Sequence, residues 1–298
     1  MRQTTKLKQL LHAPKLLQAP GAYDVLSARI IAMAGFETVY MTGYGTSASV
    51  IGQPDVGFLT ATEMAEQARH IVSAVDVPVI ADGDTGFCNP MNVVRTVRLY
   101  EQAGASGIQL EDQAFPKRCG HMLGRRVIPL EEMVQKIKAA VDTRRDGDFV
   151  IIARTDARTN HGLDEALRRG EAYRTAGADV LFIESPESVD ELKRIGSSFP
   201  GTPMLANMIE GGRTPFLPAA ELQALGFGIA LYPTGPLYTA AKAVRGYMDE
   251  LMSTGTTAGK VSQMIAFEAF NDLIGLPEYN RLEARYGVYG RPGTPPQS

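Results

Sequence analysis

Gln102–Asp112 reads QAGASGIQLED: a helix-like ending, a glycine, a short apolar run, then two acids. Glycine is the residue that best tolerates left-handed backbone just past a helix C-terminus. The run after it has the near-continuous hydrophobicity of a strand buried on both faces. The same order recurs at Met33–Gly43 (MAGFETVYMTG), Thr175–Ser185 (TAGADVLFIES) and Ala224–Pro233 (ALGFGIALYP). Four further runs, Lys15–Pro20, Val77–Asp84, Asp148–Asp156 and Pro203–Glu210, bring the series to eight. Helical patterns fill the intervals. Thr60 and Glu63 stand at capping-box spacing, and Asn89 before Pro90 is a cap followed by the residue favoured at the first helical position. Leu130–Asp142 and Gly162–Gly177 place apolar residues every three to four positions, with acids early and bases later. Eight strands alternating with helices predict an α/β fold, a (β/α)8 TIM barrel. A doubly wound open sheet is the alternative, but no glycine-rich dinucleotide or phosphate fingerprint follows the first strand.

At 298 residues, 44% hydrophobic and 21% charged, the chain has globular composition and the length of a single α/β barrel. No interdomain linker interrupts it, so residues 1–298 read as one barrel domain with 255–298 as a helical extension. That extension holds GKVSQMIAFEAFNDLIG (Gly259–Gly275), a helical stretch beyond the needs of the barrel and suited to packing on a neighbouring subunit. A net charge of −3 gives no electrostatic footprint for nucleic acid. No apolar run approaches the roughly 20 residues that span a bilayer. The two cysteines, Cys88 and Cys119, make no disulfide framework, which points to a reducing, cytoplasmic setting. The basic N-terminus lacks the apolar core of a secretory signal and reads as a first helix.

In a barrel the C-terminal ends of the strands share one rim, where such folds place their chemistry. That rim collects Thr42, Gly43, Asp82, Asp84, Glu111, Asp112, Arg154, Asp156, Glu184, Asn207 and Glu210, with Asp55 on the loop after the second strand. Any one acid alone reads as a turn former or helix cap. Together they would repel, and a hard divalent cation such as Mg²⁺, which takes oxygen ligands and leaves room for substrate, relieves that repulsion. Asp82 and Asp84, two apart, fall on the same side of an extended chain. On the loop after the fourth strand, Cys119 stands between Lys117–Arg118 and Gly120–His121, where positive neighbours favour the thiolate. Such a thiol serves as nucleophile, metal ligand or proton donor, and its glycine-containing loop suits a lid. Zinc is disfavoured because no second cysteine or clustered histidine stands at ligand spacing.

KRCGH (Lys117–His121), with GQPDVG, ADGDTGF, LEDQ, ARTDA, ANMIEGG and ALYP, resembles the isocitrate lyase/phosphoenolpyruvate mutase superfamily across nearly the whole chain. Within it the sequence is similar to the carbon–carbon lyase branch, the one that contains 2-methylisocitrate lyase, 2,3-dimethylmalate lyase and petal death protein. The resemblance implies a barrel whose last helix is exchanged between partners in a homotetramer built as a dimer of dimers. It implies Mg²⁺, with Mn²⁺ as substitute, held by Asp82, Asp84, Asp55 and Glu111 directly or through water. It implies a small di- or tricarboxylate substrate bound by Tyr40, Thr42, Gly43, Arg118, Gly120, Arg154, Asn207 and Pro233. Catalysis would fall to Cys119 as acid/base, with Lys117, His121, Arg154 and Glu184. The implied reaction is retro-aldol cleavage of a C3-substituted malate to a 2-oxo acid and a carboxylic acid.

Oxaloacetate hydrolysis and phosphonate-forming chemistry of the carboxyvinyl-carboxyphosphonate phosphorylmutase type are the rival activities. Against the first, Pro233 stands where oxaloacetate-cleaving members resemble one another in carrying a hydroxyl, which could bond a hydrated ketone. The mutases lack the cysteine signature. A non-catalytic binding barrel would not be expected to keep both the cysteine and the acids. Cys88, where relatives have glycine, is expected to be a small buried side chain; the alternative is an oxidation-sensitive partner for Cys119.

Overall fold

The computed structural model describes residues 1–287 apart from His121 and Leu123. Its strands are β1 (Leu17–Ala22), β2 (Val39–Met41), β3 (Val79–Asp82), β4 (Gly107–Glu111), β5 (Val150–Thr155), β6 (Val180–Ile183), β7 (Met204–Asn207) and β8 (Ile229–Tyr232). Each pairs in parallel with the next, and β8 returns to β1 through Leu17↔Ile229 to Pro20↔Tyr232, so the ring closes as the sequence predicts. The helices in chain order are α1 (Gln3–Leu11), α2 (Val25–Met33), α3 (Gly43–Thr46), α4 (Ala61–Val72), α5 (Pro90–Gln102) and α6 (Leu130–Thr143). After them come α7 (Arg158–Thr175), α8 (Val189–Ser198), α9 (Ala219–Ala224), α10 (Gly235–Thr254), α11 (Phe267–Leu273) and α12 (Leu276–Tyr286).

The local signals act as expected. Gly35, Gly104, Gly177 and Gly226, one from each recurring segment, have φ of 90°, 84°, 102° and 100° and lead the chain out of a helix toward a strand. Thr60 and Glu63 form the capping box of α4, and Asn89 Oδ1 accepts from the Met91 and Asn92 amides at the start of α5.

Alternation along each strand divides the core in two. Outward residues such as Met41, Ala81, Ile108, Ile151 and Leu181 pack with the helices; Tyr40, Ile80, Ile152, Phe182, Leu205 and Leu231 fill the barrel. Leu7 and Leu11 of α1 belong to the inner group, so this helix stops the end of the barrel where the strands begin. The N-terminal segment is therefore the first helix that the sequence predicts.

The chain forms two compact units, Met1–Thr239 and Ala240–Ser298. In the second, Gly259–Gly275 is not one continuous helix. A 3₁₀ turn at Ala258–Gln263 is separated from α11 by extended backbone at Met264 and Ala266. No residue of α11 or α12 is buried, and Met252, Phe267 and Tyr279 are 88%, 82% and 67% exposed. Among the described residues no helix is long and apolar enough to cross a membrane.

Candidate active site

Positions two apart on a strand face the same way, so the inward series of β3 to β7 each end in a chemically active residue. Ile80 leads to Asp82, Gln109 to Glu111, Ile152 to Arg154, Phe182 to Glu184 and Leu205 to Asn207. With residues of the Lys117–Gly120 loop they line a cavity of about 40 Å³, space for about three waters.

The acids are held firmly. Asp82 accepts the Asp84 amide on Oδ1 at 3.0 Å and the Gly43 amide on Oδ2 at 3.2 Å. The shared side of Asp82 and Asp84 does not come from extended chain. Asp84 has φ 47°, because the Gly83 amide bonds to the Gln109 carbonyl at 2.8 Å and the backbone then turns back through Gly86. Asp55, from the loop after β2, is 7% exposed. Lys117 inserts its ammonium between Asp55 and Asp84, reaching Asp84 Oδ1 at 2.5 Å. Burial opposes that charge, but Asp84 and Asp55 hold Lys117 protonated well above the usual lysine range. Burial, then the Asp84 charge, push Asp82 up to about 7. The sequence assigns relief of acid repulsion to a cation alone; the structure adds Lys117.

Arg154 lays a two-pronged contact on Asp156 (2.9 Å each), reaches Glu111 Oε2 at 3.2 Å and stands over the Phe182 ring at 5.2 Å. Asn207 donates to both Glu184 oxygens at 3.2 and 3.3 Å, leaving its own Oδ1 buried without a hydrogen bond. Thr42 caps α3, accepting the Gly45 amide at 3.3 Å.

The cysteine loop is tied down at several points. Its base closes with the Gln113↔Val127 bridge, and the Gln113 side chain grips the Arg118 amide and carbonyl at 2.9 and 2.8 Å. Ser185 Oγ donates to the Gly120 carbonyl at 2.9 Å. Buried Arg125 pairs with Asp156 and donates to Thr159 at 2.6 Å. Cys119 is half-buried on the cavity wall, while Arg118 is exposed at its edge. His121 lies outside the described residues.

Three acids grouped with the rim have structural partners. Asp112 accepts from Thr155, Tyr173 and Arg169 at 2.7, 2.7 and 3.0 Å, on the side of α7. Asp156 links Arg154 to Arg125, and Glu210 accepts from Thr234 at 2.7 Å. Residues not singled out from sequence also line the cavity: Tyr44, Gln109, Phe182, Ile209, Leu231 and Thr234. Gln109 carried a signal, a polar residue inside an apolar strand and in phase with Glu111. Phe182 and Leu231 carried none that separates them from core.

The expectation of a buried Cys88 is corrected. It is exposed, with φ 132°, beside a largely apolar hollow of about 460 Å³ lined by Phe58, Phe87 and Phe115. The turn that carries Asp84 continues through positive φ at Gly86, Phe87 and Cys88 and brings this side chain to the surface. Such a backbone favours glycine.

The donor chemistry fits a hard divalent cation. Every candidate ligand is a carboxylate oxygen, and Glu111 Oε1 is buried without a hydrogen bond. Asp55, Asp82, Asp84, Glu111 and Glu184 outnumber the cations Lys117, Arg118 and Arg154, so an anionic substrate needs further positive charge. Among the described residues no three acid, cysteine or histidine side chains make a ready chelate.

Comparison with known proteins identifies the family. The family described as phosphoenolpyruvate phosphomutase matches residues 7–252. The chain is 57% identical to 2,3-dimethylmalate lyase of Eubacterium barkeri, over 97% of this chain and 99% of that one. It is 42% identical to petal death protein of Dianthus caryophyllus, over 96% and 89%. Among solved structures, a 2,3-dimethylmalate lyase described as a PEP mutase/isocitrate lyase superfamily member superposes with TM-score 0.93 at 37% identity, covering 100% of this chain and 99% of that one. A phosphonopyruvate hydrolase in complex with oxalate and Mg²⁺ does so with TM-score 0.87 at 34% identity, covering 96% and 99%. Shared sequence over the barrel and shared architecture lead to one conclusion: the chain belongs to the phosphoenolpyruvate mutase/isocitrate lyase superfamily, among its lyases.

Proposed function

We propose that the protein is a divalent-cation-dependent carbon–carbon lyase that cleaves alkyl-substituted malates, with 2,3-dimethylmalate the best fit. The carrying observation is one small cavity that joins a loop cysteine, an acid cluster and an apolar wall of Phe182, Ile209, Leu231 and Pro233. That wall suits methyl substituents. A third carboxylate there would lose its hydration without gaining a cation. The 57% identity to a 2,3-dimethylmalate lyase supports the same substrate.

The cavity is smaller than such a diacid, so the Lys117–Gly120 loop lifts to admit it and then closes. Arg154, Arg118 and the backbone around Gly120 take the substrate carboxylates. A carboxylate of the rim takes the C2 hydroxyl proton; the O–H electron pair becomes the carbonyl π bond as the C2–C3 bond breaks, whose own pair is left on C3 beside a carboxylate. Cys119 gives its thiol proton to C3, and the thiolate regains the proton that was taken from the hydroxyl, which resets the cycle. From 2,3-dimethylmalate the products are pyruvate and propionate. Lys117 balances Asp55 and Asp84, and the Asn207 amide steadies Glu184. Asp82, with Asp84, Asp55 and Glu111, would hold Mg²⁺, or Mn²⁺ in its place, which when bound would supply positive charge to the oxygens becoming negative. Water exclusion by the closed loop keeps the carbanion for Cys119.

The exposed apolar residues of the C-terminal helices support a homotetramer with helices exchanged between partners. A catalytic thiol that works only when reduced supports a reducing, cytoplasmic setting. Against oxaloacetate hydrolysis, Pro233 lines the cavity without a hydroxyl, and the Thr234 hydroxyl is engaged with Glu210. The test is a panel of 2-hydroxy diacids and oxaloacetate with Mg²⁺, both products being identified. 2,3-Dimethylmalate should be cleaved fastest. Fastest turnover of oxaloacetate or phosphonopyruvate overturns this reading.

A further inference from the structure

Gln109 has no exposed surface; it pairs in register with Ile152 and shares the barrel side of the strands with apolar Ile80 and Phe182. Its carboxamide is fully used. Oε1 accepts from the Tyr40 hydroxyl at 2.6 Å, and Nε2 donates to Asp82 Oδ1 at 3.2 Å and to Glu111 Oε2 at 3.4 Å. The two carboxylates fix which way the amide faces, since the reverse orientation would set a carbonyl oxygen against both, and Tyr40 donates to the oxygen on the other side.

We propose that Gln109 is a positioning residue that sets the spacing and aim of Asp82 and Glu111 toward the divalent cation. The inference rests on the metal reading given above. Two effects follow from the geometry. The amide joins acids from β3 and β4 through two donors and adds no charge, where a lysine would compete with the cation and a glutamate would add repulsion. It also shares Glu111 Oε2 with Arg154, and the other oxygen, Oε1, is left buried and without a hydrogen bond. Leucine, the usual filler of such a position, would keep the volume and remove both donors. Partners of this kind, which orient metal ligands, typically change metal affinity about 10- to 100-fold when lost.

The test is Mn²⁺ binding to substrate-free protein, read from the electron paramagnetic resonance signal of free Mn²⁺, for the wild type, Gln109→Leu and Tyr40→Phe. Thermal unfolding in chelator serves as the control for folding. Gln109→Leu should raise the Mn²⁺ Kd about 10- to 100-fold while its metal-free Tm stays near that of the wild type. Part of its lost activity should return at saturating Mn²⁺, which repair of a merely structural defect would not do. Tyr40→Phe, which keeps the amide but removes the donor that anchors its oxygen, should weaken Mn²⁺ binding by a smaller factor and carries the test if the leucine variant fails to fold. Equal Kd values in wild type and variants overturn the role of Gln109 and leave the lyase reading standing. A wild type that binds no Mn²⁺ overturns both the inference and the metal assignment beneath it.

Discussion

Gly120→Ala isolates the closed loop as the working state of the enzyme. A Cβ at this position would lie 2.4 Å from Arg154 Nη2 and 2.4 Å from Glu184 Oε1. Flexible side-chain ends could yield, but these are fixed: Arg154 by its double contact with Asp156, and Glu184 by Asn207. The backbone at Gly120 lies outside the positive-φ region, so alanine adds crowding and no conformational strain. Ordinary contact needs about 3.5 Å, so the loop must rise by about 1 Å, and Cys119 with it. A displacement of that size at a reacting group costs on the order of 100-fold in rate, or about 2.7 kcal/mol in the barrier. The loop can rise without opening the barrel, so Tm should move by less than about 2 °C. The assay couples pyruvate release from 2,3-dimethylmalate to lactate dehydrogenase, with thermal unfolding measured in parallel. Near-normal kcat in the alanine variant would refute the view that this closed geometry is the catalytic one. A large fall in Tm would refute the view that only the loop has moved.

Cys119→Ala should lower turnover by about 10² to 10⁴, the range for one positioned acid/base, with the Kd for substrate little changed by calorimetry; near-normal turnover would remove the thiol from the mechanism. Thiol alkylation should inactivate the wild type, and bound substrate should slow it. Cys88→Gly should relieve the strain of φ 132° and, after the added flexibility of the unfolded chain, raise Tm by about 2 °C; a lower Tm would show that the cysteine side chain contributes packing at the hollow. Pro233→Ser should increase the cleavage of oxaloacetate relative to 2,3-dimethylmalate, and an unchanged ratio would count against a hydroxyl at this position as the selector.

The barrel was legible because its punctuation is local. Gly35, Gly104, Gly177 and Gly226 each need only their own backbone to end a helix, and each does so at positive φ. Asp82, Glu111, Arg154, Glu184 and Asn207 were legible as strand ends, since one rim gathers them whatever the details of packing. Which neighbours of these residues leave the site was readable in part. Asp112 follows Glu111 by one position, so alternation sends it toward α7, where Tyr173 and Arg169 meet it. The partners of Lys117 were not readable, because they depend on how a loop without periodic pattern folds across the rim. Nor was the apolar wall: Phe182 and Leu231 look in sequence like any other barrel filling, and only their height in the barrel sets them beside the rim cavity.

The division between inward and outward strand residues has a consequence for adaptation. Ile108 faces α-helical packing while Gln109 beside it faces the acids, so neighbours one bond apart in the chain answer to different demands. Exchange of a residue at one strand end can redirect specificity while the outer packing layer keeps the scaffold folded. Conversely, heat resistance can be engineered by rebuilding the layer around Met41, Ala81, Ile151 and Leu181 without a single substitution in the cavity at the rim. The enzyme is in this sense two overlaid designs on one backbone, free to vary at separate rates.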